Sequence, residues 1–190
     1  MNKNIFNILA FSLLLSASAG GVAAANEITF DNQNFILKAT AQSLDLPDAM
    51  NEYFPNGENH NSWTKMIGVY HLPEVKDPID YAQDVDKDIE NNETCVLLKF
   101  AKNKKTDQAV ISYLENGNEN GKNFFTYNVF KYEKNPLKGI TEFRYSVKYF
   151  FKNNEEIVGI ANRVKADNDK YMTMLITSPI PPIVEKELAP

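Results

Sequence analysis

Cysteine is almost missing from this 190-residue chain, which carries only Cys95. A single thiol excludes an intramolecular disulfide framework and any zinc site built from cysteines alone. Histidine is nearly as scarce, with only His60 and His71, which also excludes a histidine-rich metal centre. Cations do not outnumber anions: 20 Lys and Arg face 25 Asp and Glu, a formal charge of −5, so there is no basic surface in bulk for nucleic acid. The chain has no Gly-x-Gly-x-x-Gly loop, no P-loop and no Gly-x-Ser-x-Gly elbow, and therefore lacks those routes to nucleotide or acyl chemistry. Beyond the first 25 residues no apolar run approaches the roughly 20 residues that a membrane-spanning helix needs.

What is present begins with an export pattern. Met1–Ala25 has one cation, Lys3, then the apolar run Ile8–Leu15, then small residues ending in Ala23-Ala24-Ala25. Those three parts in that order are a secretory signal peptide. Ala17-Ser18-Ala19 is a second candidate cleavage site, and no cysteine lies near either, so a lipoprotein anchor is excluded. Cleavage after Ala25 would leave about 165 residues with no membrane span, periplasmic or secreted.

The mature part reads as one domain over residues 26–178, followed by a proline-rich extended tail over 179–190. Its composition is 43% hydrophobic and 12% aromatic, enough to build a core. Strict alternation marks Ile140–Phe151, with Phe143, Tyr145, Val147, Tyr149 and Phe151 on one face and Glu142, Arg144, Ser146 and Lys148 on the other. A period of two is what a half-buried antiparallel strand requires. Phe124–Tyr132 is a second aromatic strand, and Cys95–Lys102 with Gln108–Leu114 forms a hairpin. Trp63–Leu72, Asn34–Ala41 and Glu156–Val164 are further expected strands, with Asn116–Asn123 as a loop. Asp77-Pro78 is a helix start, and Ile79, Ala82, Val85 and Ile89 follow at helical spacing to about Asn91. A second helix is expected over Asp169–Thr177, capped by Asn168 and stopped by Pro179. Ser43–Tyr53 reads as a shorter helix interrupted by Pro47.

This order predicts an α+β fold: an antiparallel sheet of about six or seven strands flanked by helices. In the Trp63–Leu72 strand followed by the Asp77 helix, the aromatic meander and the closing Lys170–Ser178 segment, the chain resembles the Mog1/PsbP-like α/β sandwich of photosystem accessory and small periplasmic proteins. Cystatin-like and lipocalin-like arrangements fit the same elements. The resemblance is one of architecture and implies no catalytic residue or cofactor.

Candidate chemistry is thin. Cys95 and His71 are the one nucleophile and base pair available to a thiol hydrolase or transferase. Cys95, however, opens the apolar run Cys-Val-Leu-Leu, where a small buried thiol is ordinary packing; pairing with another chain's thiol is its other use. Asp84, Asp86 and Asp88 alternate like the start of a calcium loop, but Ile89 stands where that loop needs glycine and Cys95 where it needs Glu. They read as the solvent face of a helix. Glu58, His60 and His71 lack the i,i+4 pairing of a helical zinc site, and Asn92-Glu93-Thr94 is a chance-prone glycosylation pattern. No metal or cofactor is expected.

The aromatic residues carry the stronger signal. If one face of Phe124–Tyr132 packs in the core, Phe124, Phe130 and Tyr132 lie on the other, exposed unless a ligand, a partner, the C-terminal segment or the chain's own N-terminal region covers them. Trp63, beside the polar loop Asn56–Asn61, is a further binding anchor. The sequence therefore points to an exported envelope protein that acts by non-enzymatic binding of a protein or small ligand. Its alternatives are the Cys95/His71 enzyme, and an inhibitor or immunity-type protein that blocks a hydrolase with loop Asn56–Asn61 or Asn116–Lys122.

Overall fold

The computed structural model describes residues 26–42 and 49–183. The export signal, residues 43–48 of the expected short helix and residues 184–190 of the tail lie outside them. Eight strands and two helices follow in order: β1 (Glu27–Phe30), β2 (Gln33–Gln42), β3 (Ala49–Phe54), β4 (Lys65–Leu72), α1 (Pro78–Glu90), β5 (Cys95–Asn103), β6 (Gln108–Glu119), β7 (Lys122–Lys134), β8 (Ile140–Phe151) and α2 (Asn154–Thr177).

Alternating apolar residues set the strands, and residues with left-handed backbone end them. Asp31 and Asn32 (φ 48° and 57°) close β1–β2, and Asn120-Gly121 (52° and 78°) closes β6–β7. Such two-residue turns match the twist of the strands they join. All eight strands form one antiparallel sheet in the order β1-β2-β3-β4-β8-β7-β6-β5. Two four-stranded meanders therefore meet at β4–β8, and the crossover from β4 to β5 carries α1. Asp77 caps α1 by accepting from the amides of Ile79 and Asp80 at 2.8 and 3.0 Å, ahead of Pro78 at the first helical position.

Alternate residues of β7 divide the interior into two layers. Tyr127 and Val129 pack with Val164, Met172 and Leu175 of α2, whereas Phe130 and Tyr132 pack with Ile79, Ala82 and Ile89 of α1. The helices thus lie on opposite faces. The sheet also curls around α2: the Phe30 ring on β1 is 4.8 Å from that of Tyr145 on β8. Four strand spacings would hold them about 19 Å apart in a flat sheet.

This fold corrects the expected helix-flanked sandwich of six or seven strands. Among the described residues it is one sheet-dominated layer of eight strands with a single helix on each face. β1 is an addition to the expected strands, and the described part of the helix read over Ser43–Tyr53 belongs instead to β3, whose Tyr53 and Phe54 are fully buried. Glu156–Val164, read as a strand, is the first half of α2. Asn153 caps that helix through the Glu156 amide (2.9 Å), and the Glu156 side chain reaches back to the Lys152 amide (2.7 Å). With that cap in place, Ile160, Val164, Tyr171, Met172 and Leu175 fall on one buried stripe at helical spacing. Asn168 is therefore no cap but a buried mid-helix residue that accepts from the Tyr127 hydroxyl at 2.9 Å. The expected loop Asn116–Asn123 is mostly strand, reduced to the Asn120-Gly121 turn. No helix among the described residues is long and apolar enough to cross a membrane.

The β1–β2 turn is tied to α2 through Asp31, which takes the Lys170 ammonium at 2.6 Å and the Tyr171 hydroxyl at 3.0 Å. Burial pushes the Asp31 carboxyl up, but these partners outweigh it and leave the group below the usual aspartate value. A carboxylate depressed in the folded state stabilises fully above roughly pH 4, and that contribution is lost as pH falls through the folded value. Asp31→Asn should lower neutral-pH stability by about 1 kcal/mol, since Lys170 is half exposed. It should also flatten the decline of stability below pH 4, measured by urea unfolding. An unchanged slope would remove Asp31 as a source of acid sensitivity.

Candidate functional site

Alternation on β8 turns Glu142, Arg144, Ser146, Lys148 and Phe150 toward the α1 face of the sheet. α1 packs over β5, β6 and β7, so this row runs beside the helix and is roofed by aromatic side chains from neighbouring strands. The Arg144 guanidinium lies 3.8 Å from the Tyr70 ring centroid and 4.5 Å from that of Phe130. Its Nε and Nη2 both donate to Glu142 Oε1, and Glu142 is only 4% exposed. Gly68 makes room for this stack, because a Cβ there would come within 2.8 Å of the Arg144 stem and overlap the Tyr70 ring. Tyr70 in turn donates to Glu52 at 2.8 Å, and Ser146 donates to Asn128 at 2.7 Å.

Two residue pairs further along, the row opens into a cleft. The Lys148 side chain is 9% exposed, and its ammonium donates to Glu119 at 2.9 Å. It sits 4.5 Å from the Trp63 ring centroid, 4.7 Å from Phe124 and 5.9 Å from Phe150. A cation over aromatic faces is held by their quadrupoles, most strongly by Trp. Gly117 pairs directly with Phe124, and a Cβ on it would overlap the Phe124 ring. The cleft beyond has a volume of about 330 Å³ and lies between the residue 58–64 loop and the β6–β7 turn, with Trp63 and Phe150 in its wall.

Both walls are fixed by local hydrogen bonds. Glu58 accepts from the Thr64 amide (2.6 Å), the Thr64 hydroxyl (2.7 Å) and the Lys65 amide (3.3 Å). Asn59 accepts from the Asn61 amide at 2.9 Å. On the other wall, the Asn-Gly turn places Asn120 between Glu119 and Lys122. The two loops put forward separately from sequence, 56–61 and 116–122, are thus opposite sides of one cleft.

The other sequence candidates fare differently. Trp63 and Phe124 meet at Lys148. Phe130 is buried beneath Arg144 and packs edge-on against Tyr113, with centroids 5.4 Å apart. Tyr132 is fully buried against Tyr81 of α1. The second face of β7 is therefore covered at Phe130 and Tyr132 by α1 and the Arg144 stack, not by the N-terminal region, and neither ring is free to meet a partner.

Cys95 and His71 do not come together. Cys95 packs on the α1 face and His71 pairs with Thr141 at the opposite end of the sheet. Their strands are four apart in the sheet order, about 19 Å across it alone. Burial pushes the Cys95 thiol up, away from the thiolate a nucleophile needs, and His71 Nε2 hydrogen-bonds the Lys138 carbonyl oxygen at 2.7 Å. Among the described residues no three His, Cys, Asp or Glu groups are placed to hold a metal. Asn92, of the glycosylation pattern, accepts from Thr94 in the turn before β5.

Sequence reasoning missed Lys148 and Phe150 as site residues, and reached Asn61 and Asn120 only as members of two separate loops. The available signal was a lysine in an otherwise aromatic stretch, Lys148-Tyr-Phe-Phe151, together with the Asn-Gly turn signature that brings Glu119 opposite it. Gly117→Ala should displace the Phe124 ring from Lys148 and lower stability by about 1–3 kcal/mol. Trp63 is the sole tryptophan, so its emission reports on this shift. Unchanged emission and stability would show that Phe124 is not held against Gly117.

Residues 22–180 match a protein-family model. No curated protein and no solved structure matches the chain.

Proposed function

The chain belongs to the family matched over residues 22–180, and we propose that it is an exported envelope protein that binds a small ligand in the Trp63–Phe150 cleft. The observation that carries this reading is the Lys148 cage. A lysine ammonium enclosed by three aromatic rings and fixed by Glu119 holds Trp63, Phe150 and Glu119, which line the cleft, in place beforehand, and preorganisation lowers the ordering cost of binding. The front of the cleft carries unused polar groups: among the described residues, the side chains of Asn61, Ser62 and Asn120 have no internal partner.

Binding fits the geometry better than catalysis. The Glu58 oxygens are occupied in holding Thr64 and Lys65, Glu119 holds Lys148, and Cys95 is paired across the strands with Glu115, whose negative charge adds to burial in pushing the thiol up. The export half of the proposal rests on the Lys3, Ile8–Leu15 and Ala23–Ala25 pattern.

One preparation tests both halves. The full chain expressed in a Gram-negative host should appear in the periplasmic fraction shortened by about 25 residues. Low-molecular-mass envelope extract should then change its Trp63 emission saturably. A full-length cytoplasmic product would remove export, and an emission indifferent to every extract fraction would remove the cleft as a ligand site.

A further inference from the structure

We propose that the ligand is a neutral, hydroxyl-rich ring molecule: a mono- or disaccharide unit. This rests on the binding reading of the cleft and specifies its chemistry.

Three features select that class. First, the charges behind the cleft are engaged from within: Glu119 pairs with Lys148 at 2.9 Å, both Glu58 oxygens accept internal hydrogen bonds, and the unpaired lining cation, Lys122, is exposed at the rim, where an ion pair is worth little. The position that a ligand ammonium would take among Trp63, Phe124 and Phe150 is held by Lys148 itself. An ionic ligand therefore finds no buried, uncompensated counter-charge here. Second, apart from the exposed Lys122 ammonium, the lining side chains left without internal partners among the described residues are two carboxamides and a hydroxyl, on Asn61, Asn120 and Ser62. Each of these three both donates and accepts, as sugar hydroxyls do. Third, Trp63 and Phe150, the latter 45% exposed, offer flat apolar surface to the C–H face of a pyranose ring. The volume of about 330 Å³ lies at the small end of ligand sites, which run from about 300 to 1,000 Å³. That suits one or two rings rather than a cofactor.

The test titrates Trp63 emission of the signal-cleaved protein with maltose, cellobiose and N,N′-diacetylchitobiose, and in parallel with glucuronate, spermidine and tri-alanine. At least one neutral disaccharide should give a saturable change. Asn61→Ala and Asn120→Gly should each weaken it about tenfold, one lost hydrogen bond apiece. Asn120→Gly keeps the left-handed turn, so it separates loss of the amide from loss of the fold. A saturable response only to glucuronate, spermidine or tri-alanine would overturn the saccharide class while leaving the cleft a ligand site. A disaccharide response unchanged in both variants would overturn its placement. Silence toward all three disaccharides, with a response to envelope extract, would overturn the class alone; silence toward extract as well would overturn both readings.

Discussion

Arg144→Met should destabilise the protein by about 3–5 kcal/mol, seen as a large fall in the urea midpoint at an unchanged slope. The reason is the partner it leaves behind. Glu142 is 4% exposed and takes both Arg144 donors on Oε1, so removing the guanidinium strands a buried carboxylate. The methionine retains the apolar stem that fills the space over Gly68 and between the Tyr70 and Phe130 rings. The loss therefore reports the charge and not a cavity. The double variant Arg144→Met with Glu142→Gln should recover most of it, because neither charge then remains unpaired. A single variant that costs under about 1 kcal/mol, or a double variant no better than the single, would show that the pair is effectively solvated.

Gly139→Ala should cost about 3 kcal/mol or more. Gly139 has φ 72°, a conformation that costs a side-chain-bearing residue roughly 1–2 kcal/mol. A Cβ there would also overlap the Leu72 carbonyl oxygen and Pro73 Cα. Those are backbone atoms of the β4 end, where Leu72 pairs with Ile140, so they cannot swing aside as a side-chain tip would. Gly121→Ala supplies the comparison. Its φ is 78°, but nothing lies within 4 Å of the added carbon, so it should cost only the backbone part, about 1–2 kcal/mol. Equal losses in the two variants, by thermal or urea unfolding, would show that the β4 end yields and that the contact carries no energy.

The sequence is legible where a local rule is the one that decides. Ile140–Phe151 alternates without interruption, and Asp77-Pro78 combines a cap with a fixed φ, so β8 and α1 are found close to their observed bounds. It misleads where two periods overlap. Ile157-Val-Gly-Ile160 has strand content, yet Asn153 and Glu156 close a helix start, and Tyr171, Met172 and Leu175 continue the same stripe further along that helix. Ala49–Phe54 has no decisive local pattern; its pairing with β2 and β4 makes it a strand.

The site was half legible for a related reason. Trp63 and Phe124 stand out by residue type, but what joins them is Lys148, whose alternation alone assigned it to a polar face. That face is roofed because Gly68 and Gly117 lack the side chains that would prop Arg144 and Phe124 away from the sheet. Phe130 and Tyr132 were misjudged because the crossover places α1 over β7, and crossover placement depends on strand order rather than on any local run. Strand order also separates Cys95 from His71.

The most direct test of the cleft as the working site is a 15N correlation spectrum of the signal-cleaved protein recorded as low-molecular-mass envelope extract is added. The Trp63 indole N–H and the side-chain amides of Asn61 and Asn120 should move together and saturate. The backbone amides of Cys95 and Tyr132, on the part of the sheet that α1 covers, should stay in place. Shifts that centre on those α1-face amides while Trp63, Asn61 and Asn120 hold still would contradict the account.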